Sequence, residues 1–143
     1  MDTTTRLSIV TDLAPTVDEV GQVRHGLMAF NESHAGPAQV DRFAVYLRDV
    51  NNTIQGGLVG FLAWRWMTVD LLWVTESLRS QGYGSALLRE AEALARHVGC
   101  VGAKLDTYEF QAKVFYEKHG YAVFGVLEGY PASTRTYYFQ KAL

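Results

Sequence analysis

Apolar and polar positions alternate from Leu7 to Thr11 (LSIVT), and beyond the break at Asp12–Pro15 apolar side chains recur at Val17, Val20, Val23, Leu27 and Phe30. The first pattern has the period of a strand and the second that of a helix, which predicts a strand over 7–11 and a helix through Asn31. After the loop NESHAGPAQ, the run RFAVYLRD predicts a strand, VNNT its turn, and IQGGLVGFLAWRWM a longer partner strand in a meander. The next run, VDLLWV, is almost unbroken in apolar residues, as in strands covered on both faces. From Gly84 onward, Ala86, Leu87, Ala91, Leu94, Ala95 and Val98 describe one face of a helix that stops near Gly99. CVGAKLDT then reads as a strand, FQAKVFYEKH as a short helix ended by Gly120, and YAVFGVLEGY and TRTYYFQKAL as two closing strands. The sum is an α+β domain of three layers, spanning 1–143 as one unit. Its sheet is mostly antiparallel, with one strand-helix-strand unit in the centre.

Composition narrows the function. With 143 residues, 48% of them hydrophobic, the chain can bury a core. A formal net charge of −2 gives it no general attraction to nucleic acid or to an anionic membrane, so any anion must be bound locally. The amino end MDTTTRLSIV lacks the order of a signal peptide, and no apolar run reaches the roughly 20 residues of a membrane span, so a cytoplasmic protein is expected. The single cysteine, Cys100, fits a reducing compartment and reads as a buried small hydrophobe. His25, His34, His97 and His119 are scattered without metal-ligand spacing, so no metal is expected. The aromatic last strand, placed at or near a sheet edge, predicts a homodimer.

The chemistry concentrates in LRSQGYGS, residues 78–85, between the apolar strand and the long helix. Main-chain amides at a helix amino terminus favour an anion. Gly82 and Gly84 let the backbone approach a ligand, Ser85 adds a hydroxyl and a capping option, and Arg79 supplies charge. The dinucleotide pattern would need a glycine where Leu87 stands, and the P-loop is absent.

LWVTESLRSQGYGSALL, followed a helix and a strand later by FQAKVFYEKHGY, resembles the GNAT acetyltransferase superfamily, in particular its small single-domain bacterial members. Arg79, Gly82 and Gly84 match the family's pyrophosphate loop, and Phe115, Tyr116, Glu117, Lys118, Gly120 and Tyr121 match its second motif. The resemblance implies a splayed mixed sheet and acetyl-CoA as co-substrate. Backbone groups of Leu72, Trp73 and Val74 would pair with the pantetheine arm as an added strand, and the stretch Arg79, Ser80, Gln81, Gly82, Tyr83, Gly84 and Ser85 would hold the pyrophosphate. Tyr116 would protonate the departing thiolate, and the Val74 amide would face the thioester carbonyl. Two positions depart from the family: Ser80 replaces a common glycine, and Glu109 a common asparagine.

The general base stays open between Asp70, Glu76 and a water chain, with Asp70 in the lead as a residue at the start of the central strand. The acceptor cleft is expected from Phe30, Asn31, Glu32, His34, Trp64, Trp66, Asp70, Tyr108 and Tyr130, with Trp64 and Trp66 on one face of one strand. Such a set suits a small-molecule amine, while a peptide lysine or amino terminus also fits. The favoured activity is direct N-acetyl transfer in a ternary complex, and the alternative is a non-catalytic acyl-CoA-binding module of the same fold.

Overall fold

A computed structural model describes residues 7–143 and divides the chain into two compact units, Met1–Pro37 and Ala38–Leu143. In the first, α1 runs from Val17 to Ala35. Thr16 and Glu19 cap it reciprocally: the Glu19 amide donates to Thr16 Oγ1 at 3.2 Å and the Thr16 amide to Glu19 Oε2 at 2.9 Å, the S/T-x-x-E box. The helix continues one turn beyond the expected end at Asn31 and stops at Gly36, whose φ is 78°. Leu7–Thr11 does not form the expected strand. Alternation describes a segment that could pair, but a strand exists only where a partner completes its ladder, and among the described residues none does.

The second unit runs β1 (Asp41–Arg48), β2 (Ile54–Ala63), β3 (Trp66–Val74), a single 3₁₀ turn (Glu76–Leu78), α2 (Tyr83–His97), β4 (Gly102–Tyr108), α3 (Lys113–Lys118), β5 (Ala122–Glu128) and β6 (Arg135–Ala142). The six strands form one sheet in the order β1-β2-β3-β4-β6-β5, antiparallel everywhere except between β3 and β4. β6, expected at or near an edge, is the second strand from it, between β4 and β5. The edge falls to β5, which exposes Val123, Phe124, Val126 and Leu127.

The expected long strand 54–67 is cut by a two-residue turn at Trp64 and Arg65, with φ of 46° and 63°. Trp64 and Trp66 therefore do not share a strand, and Asp70 is the fifth residue of β3, not its first. Two positive φ values match the primed turns that join twisted antiparallel strands, where Asn and Gly are the usual residues. Trp-Arg gives no such signal.

One face of the sheet carries the core. Leu58, Leu62, Met67, Val69, Ala103, Leu105, Tyr137 and Phe139 pack under Leu87, Leu88, Ala91 and Ala95 of α2, and Tyr116 of α3 joins the same cluster. Along β4 the alternation is clean: Ala103, Leu105 and Thr107 are buried, while Lys104 and Asp106 are exposed on the opposite face. A four-membered network ties the layers together. Glu92 of α2, 4% exposed, accepts from Lys141 Nζ of β6 at 2.9 and 2.8 Å, from the Tyr121 hydroxyl at 3.1 Å and from Arg96 Nη2 at 3.3 Å. Burial and this carboxylate push the Tyr121 hydroxyl well above its ordinary pKa.

Candidate functional site

The parallel ladder between β3 and β4 has only three rungs, Trp66–Gly102, Met67–Ala103 and Thr68–Lys104, and then the strands part. At the parting, β3 bulges: Gly60 pairs with Val69 and Val59 with Leu71, leaving Asp70 as the extra residue. Gly60 is required there, because a Cβ would collide with the Thr68 carbonyl. Beyond the bulge β3 stays bonded to β2 on one side only. The Thr75 amide donates to the Gln55 carbonyl at 2.8 Å, in line with the Gly56–Val74 register. Antiparallel ladders alternate bonded and unbonded pairs, so Trp73 bonds toward β2 while the main-chain groups of Leu72 and Val74 face the gap. The backbone contact expected from three consecutive residues thus narrows to Leu72 and Val74.

Three connected hollows follow this gap. A cleft of about 640 Å³ is bordered by Val69 to Val74, Arg79, Asp106, Thr107, Phe110, Gln111, Ala112 and Tyr116. It continues into a groove of about 500 Å³ with Leu72, Val74, Ser80, Gly84, Glu109 and Phe115 on its walls, and then into a recess of about 230 Å³ at the start of α2. The recess is lined by Arg79, Ser80, Gly82, Tyr83, Gly84 and Ser85, together with Val74, Leu78 and Phe115.

Sequence explains the shape of this recess. Arg79 folds back so that its Nε donates to the Val74 carbonyl at 3.0 Å, which closes the turn between β3 and α2. Gln81 Nε2 donates to the Ser77 carbonyl at 3.1 Å and stiffens the same turn. Ser80 adopts a φ of 62°, a conformation in which glycine is at ease, so this departure from the family pattern keeps the glycine geometry. Gly82 is the N-cap of α2 at φ 86°, with no side chain capping the helix. Ser85, expected to offer a cap, instead has its Oγ 2.8 Å from His119 Nε2. The first amides of a 15-residue helix therefore open into the recess without an internal acceptor, an arrangement that attracts an anion. Gly82→Ala should strain this left-handed position by about 1–2 kcal/mol. A lowered melting temperature and weaker coenzyme A binding by calorimetry are the expected results, and an unchanged affinity would contradict the recess as the anion seat.

Tyr116 stands where groove and cleft meet. It is 5% exposed and packed edge-on against Phe115 and Tyr121. Its hydroxyl makes no hydrogen bond with the described residues, yet no side-chain polar atom among them is both buried and unpaired, so the oxygen opens to the cleft. Burial, with Asp106 adding to it, pushes this hydroxyl up to about 12, so it carries its proton at neutral pH. His119, behind Ser85, is held below its ordinary pKa by burial first, with Glu92 opposing and Lys141 and Arg89 assisting.

The expected acceptor residues fall in different places. Phe30 and Asn31 belong to the first unit, where the Phe30 ring lies 4.5 Å from that of His34. Trp64 and Trp66 border a separate apolar hollow of about 530 Å³ with Phe61, Thr68, Lys104 and Phe124. Four residues of extended chain, about 13 Å, separate Trp66 from Asp70. Tyr108 and Tyr130 stack edge-on at 5.9 Å, with Phe110 5.5 Å from Tyr108, and the neighbouring Tyr130 hydroxyl raises the Tyr108 pKa. Glu76 sits in the 3₁₀ turn, outside the residues that border the cleft, whereas Asp70 borders it. Glu109, the second family departure, lies on the groove wall, 3.9 Å from Arg135 Nη1. Residues that the sequence did not single out also line the cleft: Asp106, Thr107, Phe110 and Gln111. Thr107 Oγ1 donates to Gln111 Oε1 at 3.0 Å, fixing the loop into α3. Cys100 is buried, and burial raises its thiol pKa. Among the described residues, no three His, Cys, Asp or Glu side chains gather as a metal site, and no helix is long and apolar enough to cross a membrane.

The sheet parts along one seam, an uncapped helix opens at the mouth of the gap, and Tyr116 borders the cleft between them. The chain belongs to the GNAT acetyltransferase family: residues 39–123 match the family's acetyltransferase (GNAT) domain. A blasticidin-S acetyltransferase of Streptomyces morookaense is 39% identical over 110 residues, covering 76% of this chain and 79% of that protein. An acetyltransferase of Agrobacterium fabrum is 36% identical over 119 residues, covering 83% and 86%. The crystal structure of an acetyltransferase from Bacillus cereus superposes with a TM-score of 0.82 at 32% identity, over 94% of this chain and 98% of that one.

Proposed function

We propose that the protein transfers an acetyl group from acetyl-CoA to a primary amine of a small molecule, by direct attack in a ternary complex. The observation that carries this reading is the missing stretch of ladder: Leu72 and Val74 present main-chain donors and acceptors to a groove that leads to the uncapped start of α2. A pantetheine arm offers amides that suit such an edge, and a pyrophosphate suits the helix terminus. The residues fit the group. Acetyl-CoA supplies an activated thioester; the chain's own residues do the rest.

In this reading the main-chain groups of Leu72 would align the arm, and the Val74 amide, whose own carbonyl already accepts from Arg79, would face the carbonyl oxygen. The amides of Tyr83, Gly84 and Ser85 hold the phosphates, with Arg79 bracing the turn. The protonated Tyr116 hydroxyl donates to the departing sulfur. Asp70, at the bulge, orients the incoming amine, whose proton passes through it or through water. A cleft walled by carboxylates and aromatic rings favours a cationic acceptor, and the blasticidin-S acetyltransferase relative makes a small antibiotic-like amine the natural first acceptor class to assay. A solvent-facing hydroxyl on an otherwise buried Tyr116 speaks for turnover over binding alone.

Thermal melting with acetyl-CoA, coenzyme A, ATP and NAD in parallel tests the cofactor, because a ligand selective for the native state raises the midpoint by mass action. A rise of several degrees with the first two alone is expected, followed by thiol release when a panel of small amines is added. No rise with either coenzyme would remove the proposal.

A further inference from the structure

Two carboxylates border the cleft where the sheet opens, one on each of the parting strands. The last rung joins Thr68 to Lys104, and two residues further along each strand stand Asp70, at the bulge of β3, and Asp106. Both are exposed. Both border the same cleft. Neither makes an ion pair or a hydrogen bond among the described residues. Arg79, the one basic residue bordering that cleft among those described, is committed through Nε to the Val74 carbonyl.

This chain places two like charges at one cleft, each two residues beyond the last rung, with no counter-charge on either among the described residues. A fold under no functional demand gains nothing from the arrangement. A second, independent feature points to a ligand in the same place: the hydroxyl of Tyr116, on a side chain 95% removed from solvent (5% exposed), opens into this cleft without a protein partner.

We propose that Asp70 and Asp106 together form the seat for the acceptor's positive charges, and that the acceptor is a small molecule with two cationic nitrogens. This rests on the acetyl-transfer reading above. One carboxylate holds the nitrogen that is acetylated and the other the second cation, so Asp106 is a specificity-determining residue. Paired strands stand about 4.8 Å apart and the splay widens that distance, so the site selects nitrogens separated by more than about 5 Å, roughly three or more methylenes. Monoamines leave one carboxylate without its counter-charge. Peptide lysines, with a single ammonium, are poor acceptors on the same ground.

The test is calorimetric binding, with and without coenzyme A, of the diamines from diaminopropane to diaminooctane beside alkyl monoamines of equal chain length. Wild type is compared with Asp70→Asn and Asp106→Asn, and acetyl-transfer rates are taken on the same set. Wild type should bind the diamines about tenfold or more tighter than the monoamines, the scale of one charge-assisted contact. Each Asn variant should bring the two within about twofold of each other. Asp106→Asn should also leave coenzyme A affinity unchanged and raise the melting temperature by relieving repulsion, which separates a binding role from a structural one. No diamine preference in wild type, or a preference that survives Asp106→Asn, overturns the proposal. Failure of coenzyme A to bind while diamine preference persists would instead remove the acetyl-transfer reading.

Discussion

Replacing Glu92 by Ala is expected to cost about 3–5 kcal/mol, because it strands the Lys141 ammonium and the Tyr121 hydroxyl in a buried position without their acceptor. Against a total stability of about 5–15 kcal/mol, that lowers the melting temperature by roughly 10 °C or more. The loss should be largely conditional on the surviving cation. Glu92→Leu combined with Lys141→Met removes both charges and fills the space with apolar atoms, and should recover most of the stability, since desolvating two ions offsets much of their attraction. Chemical denaturation of wild type, the single variant and the double variant measures this. A single variant that melts within a degree or two of wild type would show that the network contributes no more than a surface pair. The network also joins α2, β6 and the residue just before β5, and the Tyr121 amide donates to the Tyr116 carbonyl at 3.1 Å. Loosening Glu92 should therefore disturb the tyrosine that faces the cleft even in the folded fraction.

Tyr116→Phe is expected to lower kcat by about a hundredfold or more while leaving acetyl-CoA affinity nearly unchanged, the signature of a lost proton donor. The ring stays, so the packing against Phe115, Tyr121 and Phe139 stays. A donor is active in its neutral form and fails as pH rises through its pKa. With that pKa pushed up to about 12, the alkaline fall in kcat of wild type below pH 11 cannot come from Tyr116. The pH profile of the variant should accordingly keep the same shape over the measurable range at a lower height. Full activity in the variant would assign thiolate protonation to water.

Most elements follow from periodicity because each is held by local rules. α2 carries one apolar face over four turns, and β1, β2 and β4 alternate cleanly. The bare turn at Arg79–Ser85 is equally visible, since glycines just before a helix leave its first amides without side chains over them. What escaped the sequence depends on partners. Leu7–Thr11 alternates but has no ladder partner among the described residues, and the turn at Trp64–Arg65 forms from residues with no turn preference because twisted flanking strands impose it. That missed turn displaced Asp70 to a strand start and put two tryptophans on one strand. Asp106 was missed for a related reason: it borders the cleft because β4 lies beside β3, two strands 28 residues apart between Val74 and Gly102, and pattern along a chain does not encode which strands are neighbours.

The three-rung seam also bears on how the chain assembles. β1, β2 and β3 are consecutive and joined by short turns, so their ladders close small loops, and β5 and β6 do the same. The rungs Trp66–Thr68 with Gly102–Lys104, extended by the Val101 amide donating to the Arg65 carbonyl at 2.8 Å, stitch one half of the sheet to the other across the whole of α2. Closing so long a loop costs entropy that three rungs repay poorly, which leaves the hydrophobic face of α2 to bring the halves together. The halves can then nucleate independently, with their docking as the late, topology-limited event. The unpaired stretch that borders the cleft is the part of the sheet that folding never has to zip.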